Sequence, residues 1–356
     1  MKKLKVAIIG QGRSGRDIHG AYFNGGLNNL YEVAYVVEWD PERRERALKE
    51  YPGCRVFCEY TELFDFEDID LVVNSTYSNT HYSVTLDLLN HGFNVLVEKP
   101  FARNYYECQN LIKAAKDNGV VLAVFQQTFF APYYVFAKEL ADSGKLGKIE
   151  HISISYNNLV RRWDWQTLQS RVAGSLYNTG PHPVGMALGF LDFDKCAEVK
   201  FSRLVNMLAS GDAEDYAKLI ITAPDKAVID IEINPADAFP GKHLKISGTR
   251  GTFVTDMKSY EMKYIVDGEN PERPVVFGAL KNEEGLPAYC SEKLITHEES
   301  GKFDGTAFDV GTAKLYEMVY YAITEGKEMS VTPEMAAQII NVIETAHAAN
   351  PMPVLY

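Results

Sequence analysis

Residues 6–20 read VAIIGQGRSGRDIHG. A four-residue apolar run, Val6 to Ile9, halts at Gly10, and a glycine-rich turn then opens what reads as a helix. Within it, Gly10, Gln11, Gly12, Arg13, Ser14 and Gly15 fit the G-x-G-x-x-G pattern of a dinucleotide-binding turn. The pattern alone is common; its place between a strand and a helix gives it weight. A side chain at Gly12 would hold a pyrophosphate away from the backbone N–H groups and the positive end of the helix. The next strand, EVAYVVEWD at 32–40, ends at Glu38, where an acid accepts from the adenosine ribose hydroxyls and repels a 2′-phosphate. NAD is therefore expected over NADP, with Arg13 weighing the other way as a cation near that ribose. The alternative is a doubly wound domain whose crevice is empty or holds a flavin.

Working outward, Asp40 and Pro41 mark a helix start before PERRERALKEY. IDLVVNST (69–76) reads as a third strand, HYSVTLDLLNHG (81–92) as a helix, NVLVEKP (94–100) as a fourth strand, YYECQNLIKAAKDNG (105–119) as a helix and VVLAVFQQ (120–127) as a further strand. Such β–α alternation with continuous apolar strands predicts a parallel sheet covered on both faces. After about residue 125 the pattern changes. EHISISYNN (150–158) alternates with period two, and VKFSRLVN, YAKLIITA, AVIDIEIN, HLKISG, GTFVTD and YEMKYIVD follow as short strands. The predicted fold is α/β: an N-terminal doubly wound Rossmann sheet (1–125), then an α+β substrate-binding and oligomerisation domain (126–356) with an open, mostly antiparallel sheet. Residues 268–310 read as a long excursion, and Thr332, Pro333 and Glu334 announce the last helix. Too few helices follow the second sheet to cover it, so an apolar open face and a homodimer or homotetramer joined through it are expected.

The 356 residues are 46% hydrophobic and 24% charged, with a net charge of −12. That balance disfavours nucleic acid as a partner. No apolar run approaches the roughly 18 residues of a membrane span, and the apolar stretch after MKKLK is too short for a secretory signal. The five cysteines have no metal-ligand spacing and read as reduced thiols, so a cytoplasmic location and no metal are expected.

Ligands of such sheets bind outside the carboxyl ends of the strands. Thr76, Tyr77, Ser78, Asn79 and His81 follow the third strand, Glu98, Lys99 and Pro100 the fourth, and Gln126 and Gln127 the next. The ribose- and nicotinamide-side candidates are Thr76, Tyr77, Ser78, Asn79, His81 and Glu98. For His81, a role at the helix start is the competing explanation. Glu98 and Lys99 could instead be a surface ion pair at a strand end. The stretch YNNLVRRWDWQTLQ (156–169) sets Tyr156, Arg162, Trp163 and Trp165 together, as a pocket that stacks on sugar faces and bonds hydroxyls would, or as a structural loop would.

These residues resemble the glucose-fructose oxidoreductase / inositol dehydrogenase (Gfo/Idh/MocA) family. The resemblance spans nearly the whole chain: the glycine fingerprint at 10–15, EWDPER at 38–43, TYSNTHY at 76–82, VEKPFA at 97–102, SGKLGKI at 143–149, GSLYNTGPHP at 174–183, SGTRGTF at 247–253 and VTPEMA at 331–336. It implies oxidation of a hydroxyl on a sugar, sugar derivative or cyclitol with NAD or NADP, and places Lys99 and His182 at the substrate as catalytic residues. A lysine at its ordinary value of about 10.4 is a poor base, but desolvation beside an oxidised nicotinamide would favour the neutral amine. The chain departs from the family pattern at Asn178, where many relatives carry Asp, at Gly185, another frequent Asp, and at Gln127-Thr128-Phe129-Phe130, where relatives often place Asn and Arg. Proton transfer then falls on Lys99 and His182, while Asn178 and Gln127 stay as substrate contacts. A lyase, isomerase or glycosidase-like enzyme that borrows and returns hydride is one alternative to a dehydrogenase, and a non-catalytic NAD-binding regulator is another.

Overall fold

The computed structural model describes residues 2–356. Its first sheet is built from β1 (Leu4–Ile9), β2 (Tyr31–Val37), β3 (Arg55–Phe57), β4 (Leu71–Asn74), β5 (Val95–Val97) and β6 (Leu122–Val124). All neighbours are parallel, in the order β3-β2-β1-β4-β5-β6. The chain reverses direction across the sheet between β1 and β4, which opens a crevice at their carboxyl ends. Alternation within β1 divides the core: Ala7 and Ile9 join one cluster, Leu4, Val6 and Ile8 the other. Burial on both faces explains why these strands carry continuous apolar runs.

Helix Pro41–Glu50 starts as expected, with the Asp40 carboxylate accepting from the N–H groups of Glu42 and Arg43. Helix Tyr105–Asn118 is capped by Asn104 and closed by Gly119 at φ 66°. Two departures from expectation concern strands. β3 lies between the second helix and β4, and the strand expected over 120–127 is only Leu122–Val124, because Gln127–Phe130 turn into a short helix.

The second sheet comprises β7 (Ile149–Asn157), β8 (Glu198–Val205), β9 (Tyr216–Thr222), β10 (Val228–Asn234), β11 (Leu244–Gly248), β12 (Gly251–Thr255), β13 (Ser259–Tyr264) and β14 (His297–Lys302). Its order is β14-β13-β12-β11-β7-β10-β9-β8, antiparallel except between β7 and β10. β14 falls inside the expected excursion. Its sequence, HEESGK, is polar and mostly exposed, as suits an edge strand that discourages further pairing. One face of the sheet buries Ile152, Ile154, Leu219, Ile231 and Leu244 together with Val184 and Ala187 of helix Pro181–Phe190. The other face is not a continuous apolar surface: Lys218 on β9 pairs with Asp230 on β10 at 2.6 Å.

Helix Thr312–Glu325 follows the second sheet in the chain but packs on the first, where Leu315, Tyr316, Val319 and Tyr320 share a core with Val6, Ile8, Tyr31 and Phe125. Among the described residues no helix is long and apolar enough to cross a membrane.

Candidate active site

The glycine turn shows three separate constraints. Gly10 sits at φ 92°, and a Cβ there would lie 2.7 Å from the Ser75 carbonyl oxygen. A Cβ on Gly15 would lie 1.9 Å from the Gly10 oxygen. Above Gly12 there is room: the nearest atom to its Cβ position is Arg43 Nη1 at 3.9 Å. Gly10 and Gly15 are therefore required by the turn itself, whereas Gly12 leaves space for a ligand to approach the backbone. The following helical segment, Arg13–Gly20, is widely wound before one α-turn at Ala21–Phe23. Arg13 is exposed and Ser14 half-buried.

Glu38 is buried at the end of β2. Its Oε2 accepts from the Gln11 N–H at 2.8 Å, its Oε1 from the Asp40 N–H at 3.1 Å, and Arg43 Nη1 stands 3.5 Å from Oε2. The acid thus clasps the glycine turn. The buried amide oxygens of Gln11, Asn79, Gln126 and Gln127 have no hydrogen-bond partner in the protein. Unpaired buried acceptors are costly, so a ligand rich in donors, as a dinucleotide is, fits these strand ends.

Beyond β4, Thr76 donates through Oγ1 to Asn74 Oδ1 at 2.8 Å and accepts from Thr80 Oγ1 at 3.0 Å. Tyr77 is partly exposed, meets Trp165 edge-on at 4.9 Å between centroids, and lies under the Arg171 guanidinium at 5.6 Å. Ser78 and Asn79 form the helical turn that follows. His81 is the first residue of helix His81–Asn90, the position of the competing explanation. Its ring is buried, with Nδ1 2.7 Å from the Pro100 carbonyl oxygen and Nε2 3.2 Å from that of Thr76, so it ties two loops together beneath the crevice. Burial holds it below the ordinary histidine value.

At the end of β5, Glu98 is 2% exposed. Its Oε2 accepts from the Lys99 N–H at 2.9 Å, and its Oε1 faces His19 Nε2 at 3.2 Å. Burial pulls its carboxyl upward, but the His19 hydrogen bond and the nearby Lys99 and His81 outweigh that and hold it below the usual range. Half-buried Lys99 donates from Nζ to the Asn178 carbonyl oxygen at 2.8 Å. Its loss of solvent lowers the lysine value; Glu98 opposes this, and Arg13 and Arg162 add to it.

His182, at the start of helix Pro181–Phe190, places Nδ1 2.7 Å from Thr128 Oγ1. Desolvation first, then Lys99, pushes it down to about 3, so it is neutral at ordinary pH. Asn178 Oδ1 accepts from Gln166 Nε2 at 3.1 Å, and Gln166 Oε1 in turn accepts from Arg162, which also pairs with Asp164. A cavity of about 500 Å³ reaches Tyr156, Arg162, Gln166, Asn178 and His243. Tyr156 packs edge-on against His243 at 4.4 Å, and burial raises its phenol to about 12. Trp163 departs from its expected place, being 77% exposed and outside the cavity lining; Gln127 is buried and also outside that lining.

Sequence reasoning missed His19, Tyr316, Thr128 and His243. His19 lies in the glycine-turn helix, yet nothing local marks it, and its neighbour Tyr316 enters from a distant helix at 2.8 Å from Nδ1.

A family model described as "Oxidoreductase family, NAD-binding Rossmann fold" matches residues 4–126, and one described as "GFO/IDH/MocA C-terminal domain" matches residues 134–254. With this sheet order and these strand ends, the chain belongs to the Gfo/Idh/MocA family of oxidoreductases. A scyllo-inositol 2-dehydrogenase (NADP(+)) of Bacillus subtilis is 26% identical over 352 residues, covering 96% of this chain and 92% of that protein. A 2,7-anhydro-N-acetylneuraminate hydratase of Mediterraneibacter gnavus is 25% identical, covering 75% of this chain and 71% of that protein. The structure of GenD2 from gentamicin A biosynthesis, in complex with NAD, shares the fold at a TM-score of 0.76 and 22% identity, over 100% of this chain and 97% of that one.

Proposed function

We propose that this protein transfers hydride between a carbohydrate or cyclitol hydroxyl carbon and a nicotinamide dinucleotide, with Lys99 as the acid–base group assisted by His182. The observation that carries this reading is the contact of Lys99 Nζ with the carbonyl oxygen of Asn178, a residue that lines the cavity, which puts an amine of lowered basicity next to that cavity's wall. The residues suited to hold the dinucleotide are the Gly10–Gly15 turn, Glu38, Thr76, Tyr77, Ser78, Asn79 and Glu98. When bound, the nicotinamide supplies the hydride acceptor. Lys99 takes the hydroxyl proton as the carbon loses hydride, and in the reverse direction returns it. His182, held by Thr128, is neutral and hydrogen-bonds the reacting oxygen. Asn178, Gln166 and Arg162 offer a linked set of polar groups for neighbouring hydroxyls, with Tyr156 along one wall and Trp165 beside Tyr77 at the crevice.

For the cofactor we favour NAD, because a buried carboxylate at Glu38 disfavours a 2′-phosphate; the relative named for NADP and the nearby Arg43 are the counterweight. Asn178 in place of a carboxylate, with a hydratase among the relatives, supports a second reading in which hydride is borrowed and returned within one turnover. Both are tested by offering NAD and NADP with a panel of inositols, sugars and anhydrosugars. Reduced nicotinamide absorbance that accumulates with substrate supports net oxidation. A changed product by mass spectrometry without net absorbance supports transient redox. Neither signal from any polyol or sugar overturns the assignment.

A further inference from the structure

Glu98 is a buried carboxylate whose two oxygens are both committed, one to the Lys99 N–H and one to His19. Behind His19 stands Tyr316, with its hydroxyl 2.8 Å from Nδ1; His19 and Tyr316 are both fully buried. An ionised carboxylate only accepts, so Nε2 carries a proton toward Glu98, while Nδ1 is hydrogen-bonded to the Tyr316 hydroxyl. Tyr316 is itself held on three sides: the Tyr31 hydroxyl donates to its carbonyl at 2.7 Å, the Tyr22 ring stacks on it at 4.5 Å, and Phe23 meets it edge-on. Burial keeps the phenol protonated, well above its ordinary value.

A core that needed only stability would fill this space with apolar groups, since buried polar networks seldom gain over well-packed hydrophobic ones. The network instead leads to the residue that precedes Lys99. We infer that Tyr316 and His19 are positioning residues, a hydrogen-bonded relay that keeps Glu98 an oriented carboxylate and thereby sets the base strength of Lys99. The relay joins the glycine-turn helix to helix Thr312–Glu325, which lies outside both segments matched by the family models. The charged and titratable groups facing Glu98 are His19, Lys99, His81, His182 and Tyr316; those facing Lys99 are Glu98, Arg13, Arg162 and His182. Without the His19 donor, Glu98 keeps only the Lys99 N–H, and its deep burial then favours uptake of a proton. Lys99 then loses the one negative charge that opposes its desolvation, and its midpoint falls.

The inference rests on Lys99 as the acid–base group, but its test needs neither substrate nor cofactor. Competitive acetylation of the whole protein across a pH series, with the Lys99 peptide followed by mass spectrometry, reads the Lys99 midpoint directly. His19→Leu is expected to lower it by at least about half a unit. His19→Gln, which keeps an amide donor, restores most of the loss, and Tyr316→Phe gives a smaller shift of the same sign. In a Glu98→Gln background the His19→Leu shift should vanish. A midpoint unmoved by His19→Leu, or a shift undiminished without the carboxylate, overturns the relay. Should His19→Leu fail to fold, Tyr316→Phe decides: a wild-type midpoint in that variant overturns it equally.

Discussion

Lys99 Nζ donates to the main-chain oxygen of Asn178 at 2.8 Å, joining the end of β5 to the short helix that precedes His182. The acceptor is a carbonyl, so the bond survives any change of the Asn178 side chain. The Asn178 amide is used elsewhere, toward Gln166.

Lys99→Met retains the stem and removes the amine. It is expected to lower kcat by about 10²- to 10⁴-fold while leaving dinucleotide affinity near that of the unaltered protein. Asn178→Asp keeps an oxygen facing Gln166 and should change kcat by less than about tenfold, since the role given to Lys99 needs no second carboxylate. Steady-state kinetics and calorimetric titration of the cofactor check both, and near-normal turnover of Lys99→Met would leave the lysine with only a structural role, its bond to the Asn178 carbonyl.

The glycine turn separates folding from binding. Gly12→Ala meets no atom nearer than 3.9 Å, so it should melt close to wild type yet bind NAD several-fold more weakly. Gly15→Ala drives its methyl to 1.9 Å from the Gly10 oxygen and should cost several degrees in Tm. Equal melting temperatures for the two variants would show that the spacing above Gly12 has been misread.

Glu38 has two duties. Glu38→Ser is expected to narrow the preference for NAD over NADP in a binding titration. It also removes the acceptor of the Gln11 and Asp40 N–H groups, at a cost of about 1–3 kcal/mol in urea unfolding. A variant that binds the two dinucleotides in an unchanged ratio would remove Glu38 from cofactor selection.

His182 and His243 are pushed by burial to about 3 and about 4. The unfolded chain therefore binds protons first as the pH falls, and the stability held above the unfolded value of about 6.5 is lost from there down to the folded values. Urea midpoints should be flat above about pH 7.5 and decline below about pH 6. His243→Gln should make that decline shallower; an unaltered slope would mean that this histidine does not stay neutral in the folded protein.

Several features of this protein were set by local chain chemistry. The apolar run ending at Gly10, the Asp40 and Asn104 caps, and Gly119 after the fourth helix each act over a few residues, where sterics and backbone hydrogen bonding leave few choices. The two periodicities, continuous apolar strands and then alternating ones, state how many faces each sheet buries, and the two sheets follow from them. β3 and β14 escaped notice for the same reason: one is a three-residue edge strand and the other a polar one, so neither carries a burial pattern.

Partners brought together across the fold had no such signal. Lys99 and Glu98 were marked by their place at a strand end, but the carbonyl of Asn178, the imidazole of His19 and the hydroxyl of Tyr316 come from segments far from them in the chain and meet this site only through the tertiary fold. Likewise Trp163 and Trp165 are two residues apart, yet one is 77% exposed and the other turns toward Tyr77. Sequence determined which elements form and which strand ends carry reactive groups, because propensity and burial are read within a few residues. Tertiary structure alone decided which groups touch, because a hydrogen bond of about 2.8 Å between distant residues depends on the packing of every element between them.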